Sequence, residues 1–179
     1  MNNFYSTDNL VLRVLNPDDC GIVLNFLKFN KAYFEPYESK KPDSFYTESF
    51  QYETLLAESS FFVQEHFMRY YIFLGDYMDP IGTVSFKKVP GEDTKTMSLG
   101  YKLDHRFWGM GFAHESISFL CGHIFLEHIA DRLEAIVQPD NMRSIRLLKG
   151  LGFSNSFGEL REYELASGTV LHNVYYLTP

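Results

Sequence analysis

Cysteine is scarce in this chain: two thiols, Cys20 and Cys121, in 179 residues. Two cysteines make neither a disulfide framework nor a cysteine-based metal site, and they fit a reducing cytoplasm. Long apolar runs are missing too. No stretch approaches the roughly 18 uninterrupted apolar residues of a spanning helix, so no membrane partner is expected. The opening MNNFYSTDNL has no basic region followed by an apolar run, which argues against a signal peptide. Positive charge is in deficit, with 16 Lys and Arg against 23 Asp and Glu and a net charge of −7. Nucleic acid is gripped by clustered Lys and Arg, so it is not an expected partner; an acidic surface favours an amine, a basic peptide or a ribosomal protein. No G-x-x-x-x-G-K-[ST] run occurs, and a dinucleotide fingerprint on Gly109 and Gly111 would need glycine where His114 stands, so neither ATP nor NAD is indicated. The histidines form no metal set: His123 and His128 are five apart, and there is no H-E-x-x-H.

Aromatic residues, by contrast, are plentiful at 17%, which means either a core built on Phe and Tyr or a pocket lined by rings. With 45% hydrophobic and 22% charged residues and no low-complexity tract, the chain reads as one globular domain over 1–179. Residues 9–15 alternate as a strand, and Asn16-Pro17-Asp18-Asp19 supplies the cap, early proline and first-turn carboxylates of a helix. Ile22, Val23, Phe26, Leu27 and Phe29 follow at helical spacing. Residues 31–43, with two prolines, read as loop, and 44–64 as a second helix. Strands over 69–74, 81–89 and 96–103, separated by turns at 75–80 and 90–93, make an antiparallel meander. The period then changes. Ala113, Ile117, Leu120, Cys121, Ile124 and Phe125 share one helical face within 111–129. A buried strand over 133–137, a helix over 141–151 and strands over 159–165 and 169–177 complete a mixed α/β (α+β) order β-α-α-β-β-β-α-β-α-β-β.

The chemistry concentrates in residues 99–115, LGYKLDHRFWGMGFAHE. A strand end, a loop with Gly109 and Gly111, and an immediate helix start bring backbone N–H groups and the positive end of a helix dipole together. That is an anion site suited to a pyrophosphate, or else a tight turn without a ligand.

Arg106-Phe107-Trp108-Gly109-Met110-Gly111 resembles the [QR]-x-x-G-x-[GA] motif of the GNAT superfamily of acyltransferases, and Asn141-x-x-Ser144-Ile145 with Leu151-Gly152-Phe153 resembles its second signature. Within it, Leu99-Gly100-Tyr101, Trp108-Gly109, Glu115 and N-x-x-S-I resemble the bacterial ribosomal-protein N-terminal acetyltransferase branch. Leu12-Arg13 and the loop 31–37 also fit, so the resemblance covers about the whole chain. It implies the GNAT fold, a mostly antiparallel twisted sheet with helices on both faces, and acetyl-CoA as cosubstrate without a metal. The implied cofactor residues are Tyr101, Lys102, Leu103, Arg106, Phe107, Trp108, Gly109, Met110, Gly111, Phe112, Ala113, Asn141 and Ser144. It further implies direct attack by an amine in a ternary complex, with the α-amino group of a protein N-terminus as favoured acceptor. A small-molecule amine acetyltransferase and a non-catalytic acyl-CoA sensor are the rival readings, and monomer and homodimer both remain open.

One departure stands out. Many GNAT enzymes carry a tyrosine, the acid for the departing thiolate, where this chain has Leu148. In the ribosomal branch the serine takes that part, so Ser144 is the catalytic candidate; alternatively it is a first-turn residue bonding local backbone. Asn141 is either a helix cap or a pantetheine contact. Arg143, Arg146 and Lys149 are either phosphate ligands or a solvated helix face, and His105 either borders the cofactor or has no role. An α-amino group, with a pKa around 8, needs only modest help from a base. Glu35, Glu38, Glu159, Glu162 and Glu164 are the carboxylates within reach by this reading, each otherwise a surface residue. The aromatic loop 31–46 is expected to shape the acceptor pocket, with Tyr33 and Phe34 acting on acceptor KM more than on cofactor affinity.

Overall fold

The structure, a computed structural model, describes residues 1–75, 77–91, 94–155 and 157–179. Eight strands among these residues form one sheet. β1 (Phe4–Ser6), β2 (Leu10–Arg13), β3 (Phe67–Leu74), β4 (Gly82–Lys88) and β5 (Thr96–Leu103) lie side by side, each antiparallel to the next. β6 (Arg132–Val137) joins β5 in parallel; β8 (Gly168–Leu177) pairs antiparallel with β6, and β7 (Leu160–Leu165) with β8 at the edge. A parallel pair needs a crossover, and α4 (Phe112–Leu126) supplies it. α1 (Cys20–Phe29), α2 (Lys31–Phe34) and α3 (Glu48–Val63) precede β3, and α5 (Met142–Gly150) follows β6.

Alternation along the strands sorts side chains onto two faces. Met68, Tyr70, Ile72, Val84, Phe86 and Leu99 pack with Ile117, Leu120 and Ile124 of α4 and with Ile145 and Leu148 of α5 to make the larger core. Tyr71 and Phe73 point the other way, onto Leu15, Val23 of α1 and Leu55 of α3. These are the α4 face and the α3 face below. Among the described residues, no helix is long and apolar enough to cross a membrane.

The expected meander, the long crossover helix and the final hairpin are all present. The turns expected at 75–80 and 90–93 include positions 76, 92 and 93, which lie outside the described residues. Three features differ from expectation. A strand precedes the first expected one: β1, three residues long and too short to show alternation. Residues 31–43 are not plain loop, because α2 forms ahead of Pro36 and a one-turn helix over Glu35–Tyr37 takes Pro36 into its first turn. The second long helix starts at Glu48, where the Thr47 side chain caps Phe50 N; residues Asp43–Tyr46 form a separate turn. At residue 16 the cap is as expected: Asn16 Oδ1 accepts from Asp18 N at 2.9 Å, and Asp19 accepts from Asn16 N at 3.0 Å.

One irregularity positions the site. β5 pairs with β6 through residues 96–98 and 132–134 and no further. Beyond that point β5 stays with β4 as far as Leu103, and β6 stays with β8 as far as Val137. The sheet therefore opens between two wings.

Candidate active site

The opening between β5 and β6 is a cavity of about 590 Å³ that reaches both faces of the sheet. Of the residues implied for the cofactor, Tyr101, Lys102, Leu103, Phe107, Trp108, Gly109, Gly111, Ala113, Asn141 and Ser144 line it; Arg106, Met110 and Phe112 do not.

On the α4 face the strand end, loop and helix start are built by local contacts. Asp104 Oδ1 accepts from Arg106 N at 2.9 Å and starts a turn over His105–Phe107. Trp108 Nε1 donates to Leu103 O at 2.9 Å, folding the loop back on its own strand. Gly109 and Gly111 have φ of 79° and 85°, in the left-handed region that glycine enters freely. Added Cβ atoms would meet nothing within 4 Å there, so backbone conformation and not space calls for glycine. Gly111 begins the 15-residue α4 with no side-chain cap, which leaves the first helical amides for a ligand at the cavity rim. Arg106 turns away: its Nη2 pairs with the buried Asp104 Oδ2 at 2.7 Å and its guanidinium lies 4.3 Å from the Phe29 ring centre. Met110 is exposed, and Phe112 packs toward the core.

Across this face two hydroxyls meet. Ser144 Oγ, in the first turn of α5, hydrogen-bonds Tyr101 OH on β5. Asn141 caps that helix, its Oδ1 accepting from Ser144 N at 3.1 Å, while also lining the cavity. Burial, opposed by the Ser144 bond, pushes the Tyr101 phenol up to about 12, so it stays a proton donor at neutral pH. Leu148 belongs wholly to the core.

The α3 face is charged. Lys102 points there, opposite Tyr101, and its ammonium pairs with Glu38 Oε1 above the Phe34 ring. Lys41 holds Glu38 Oε2 at 3.1 Å. Burial works against the Glu38 carboxylate, but the two ammoniums outweigh it and hold its pKa below the ordinary value. Burial also lowers the Lys102 pKa, with Glu38 opposing. Residues 38–39 are tied to the β7–β8 hairpin by Ser39 Oγ donating to Glu164 O at 2.8 Å and Ala166 N donating to Glu38 O at 3.1 Å. Tyr163 of β7 and His172 of β8 complete this side.

The other carboxylates lie elsewhere. Glu35 accepts from Tyr46 OH at 3.2 Å and pairs with Lys31 at 3.6 Å. Glu159 binds Tyr176 OH and Arg161, and Glu162 and Glu164 are exposed. Glu115 does not line the cavity; it accepts from Thr7 Oγ1 and from Asn9 N and Nδ2, clamping the β1–β2 turn to α4. His105 has a structural role, with its ring stacked 3.9 Å from Tyr33, which in turn meets Trp108 edge-on at 5.6 Å. Arg143 lies 3.5 Å over the Trp108 ring and lines the cavity, whereas Arg146 and Lys149 are exposed. Among the described residues, no group of His, Cys, Asp or Glu is placed to hold a metal ion. His172 and Tyr163 are among the cavity residues that sequence reasoning missed, as is Gln138. The one signal for the first two was alternation, which puts Tyr163, Val170 and His172 on one face of the last hairpin.

This architecture has counterparts. The profile of the acetyltransferase (GNAT) domain matches residues 9–154. The uncharacterized N-acetyltransferase p20 of Bacillus licheniformis is 36% identical over 103 residues, 58% of this chain and 57% of that protein, so the match spans little more than half of the relative's length. The ribosomal protein uS5-alanine N-acetyltransferase of Escherichia coli (strain K12) is 25% identical over 163 residues, 91% of this chain and 84% of that one. The solved ribosomal-protein-S5-alanine acetyltransferase of Vibrio fischeri shares the fold, with a TM-score of 0.90 at 18% identity over 99% of this chain and 97% of that one. With the matched profile spanning both glycines of the loop and the Asn141–Ser144 helix start, this chain belongs to the GNAT acetyltransferase family.

Proposed function

We propose that this protein is a single-domain cytoplasmic N-acetyltransferase that moves the acetyl group of acetyl-CoA onto the α-amino group of a polypeptide N-terminus, by direct attack in a ternary complex. The observation that carries the reading is the cavity through the opened sheet, with an anion-binding helix start and two hydroxyls on one face and ionisable groups on the other.

In this reading the amides of residues 109–113 hold the pyrophosphate, where fixed dipoles replace its water. Arg106, Met110 and Phe112 contribute backbone and not side chain. The open edge of β5 over Tyr101, Lys102 and Leu103, with Asn141 opposite, lies along the pantetheine arm. Acetyl-CoA supplies the activated thioester. The Tyr101–Ser144 pair stands where the departing sulfur needs a proton and fills the place of the tyrosine that Leu148 lacks. A hydroxyl donor aimed at a developing anion is worth about 3–4 kcal/mol when the site excludes water. The acceptor enters from the α3 face, between the loop 35–41 and the β7–β8 hairpin. The α-amino preference draws on the named activity of the Escherichia coli relative. It also draws on chemistry: an α-amine near pKa 8 is partly neutral at working pH, whereas a lysine near 10.4 is not.

The test is acetyl-CoA turnover on peptides with free Ala or Ser termini, beside N-blocked peptides, polyamines and amino acids. Thiol release and N-terminal acetylation seen by mass spectrometry with free-terminus peptides alone is the expected result. Release with small amines and not with peptides rejects the acceptor. In parallel, acetyl-CoA at one hundred times its Kd should raise Tm by about 5–10 °C, with ATP and NAD inert.

A further inference from the structure

His172 is almost wholly buried, at 4% exposure, yet it lines the cavity on the α3 face. Its Nδ1 lies 2.9 Å from the carbonyl oxygen of Val170, two residues back on β8. A carbonyl can only accept, so Nδ1 carries the hydrogen, and in the neutral ring Nε2 is the nitrogen with a free lone pair. Tyr163, from the neighbouring strand, packs on the imidazole with ring centres 5.3 Å apart. Among the described residues no group hydrogen-bonds Nε2, and it is not sealed in the interior either. An imidazole with one nitrogen anchored and the other open to a cavity is oriented to take a proton there.

We infer that His172 Nε2 is the general base for the acceptor amine. The inference rests on the acetyl transfer proposed above and sets one imidazole in place of the several carboxylates that the sequence offered as base. Its position fits: the ring enters the cavity from the face opposite the Tyr101–Ser144 pair, so base and acid flank the gap between β5 and β6. As the amine nitrogen bonds to the thioester carbonyl carbon, His172 takes the proton that leaves nitrogen. The electron pair of the C–S bond goes to sulfur, which takes a proton through the hydroxyl pair. The imidazolium releases its proton to solvent and the hydroxyl pair takes one from solvent, so amine plus thioester gives amide plus thiol.

The charged groups around the ring are already engaged. Arg161, directly across from His172 on β7, is held by Glu134 of β6 at 2.9 Å and by Glu159 at 2.9 Å. Lys102 of β5 and Lys41 of the loop both spend their charge on Glu38. A carboxylate clamped by two ammoniums, with its pKa held low, is a weak base, which leaves the imidazole as the better acceptor on this face.

The test is His172→Asn, whose amide can still donate to the Val170 carbonyl while nothing remains in the place of Nε2. Turnover on a free-terminus peptide should fall about 100-fold, the lower end of what a general base supplies. The acidic limb of the wild-type kcat profile should vanish, free imidazole should restore part of the rate, and the acetyl-CoA thermal shift should persist. Activity within threefold of wild type with the acidic limb intact overturns the inference and leaves the acetyl transfer standing. Wild-type protein that binds acetyl-CoA and acetylates no amine overturns both. Should the variant misfold, diethyl pyrocarbonate on the wild type decides: modification of His172 with turnover preserved, or a His172 that the reagent cannot reach, overturns it, whereas modification with matching loss of turnover and protection by peptide supports it.

Discussion

On the α4 face of the cavity, most polar groups come from two short stretches, residues 99–114 and 141–147. On the α3 face Glu38, Lys102, Tyr163 and His172 come from four separate segments, the first and last 134 positions apart (172 less 38). The first face works with amides, hydroxyls and the single guanidinium of Arg143 over Trp108; the second holds the Glu38, Lys41 and Lys102 charges in one cluster. A cosubstrate with fixed phosphates can be read by backbone, and backbone geometry needs glycines at set spacings. An acceptor is read by side chains, and a fold can deliver those from anywhere. On the proposed reading, chemistry that is contiguous in the chain serves the cosubstrate, and chemistry assembled by topology serves the acceptor.

The largest effect that would sharpen this contrast lies on the α4 face. Tyr101→Phe with Ser144→Ala should lower kcat by about 100- to 1000-fold, the cost of losing a pre-aimed donor, with acetyl-CoA affinity changed less than threefold. Each single variant should cost less than half of that logarithm, because one hydroxyl can cover for the other. Stopped-flow release of CoA separates the chemical step from binding. A double variant no slower than the worse single would mean that one hydroxyl alone carries the step.

These two residues also mark how far the sequence is legible. The glycine loop, Ser144 and the cap at Asn141 stand at fixed spacings, and the structure brings them to one cavity. Tyr101 was implied as a cofactor residue by family resemblance but not as the partner of Ser144, because that bond joins residues 43 apart across an opening that no local pattern announces. Arg106, read from the same motif, spends its side chain on Asp104. For His172 alternation gave the face of the last hairpin and nothing more. It sits in an ordinary alternating strand, and only the pairing of β8 with β6 beside the split brings it to the acceptor side. Glu38 looked like any surface carboxylate until Lys102 was seen to turn toward it.

A smaller effect tests whether the faces are separable. Phe34 lies under the Lys102 ammonium and packs on Phe26, entirely on the α3 side. Phe34→Leu should raise peptide KM by about 10-fold, the scale of one reshaped pocket contact, and leave the acetyl-CoA Kd alone. Tyr33 is its neighbour in sequence but not in role, since its ring spans from His105 to Trp108 of the cosubstrate loop. Tyr33→Leu should therefore move both constants. Isothermal titration with acetyl-CoA beside peptide kinetics reads the difference; equal behaviour of the two variants would break the division into faces.

The smallest effect asks whether the α4 face is as self-contained as its sequence implies. Glu115 has partners far off in the chain: Asn9 N at 3.0 Å, Asn9 Nδ2 at 2.9 Å and the Thr7 hydroxyl, all from the β1–β2 turn. Burial would raise its pKa, but those three donors outweigh burial and hold it below the ordinary carboxylate value. A folded pKa below the unfolded one means stability that is present above the unfolded value, about 4.3, and lost as pH falls through the folded value. Glu115→Gln should thus cost about 1 kcal/mol at pH 7, near 2–4 °C in Tm, and the gap from wild type should close as the pH drops below about 4. Thermal melts of both proteins from pH 7 downward measure it, and a gap that ignores pH would mean that shape, and not the carboxylate charge, holds the turn. Acetyl-CoA affinity in the same variant then bears on the contrast itself. If it is unchanged, Gly109, Gly111 and the bond from Trp108 to Leu103 shape the phosphate site unaided; if it falls with the clamp, the cosubstrate face also leans on residues more than a hundred positions away, and the two faces differ only in degree.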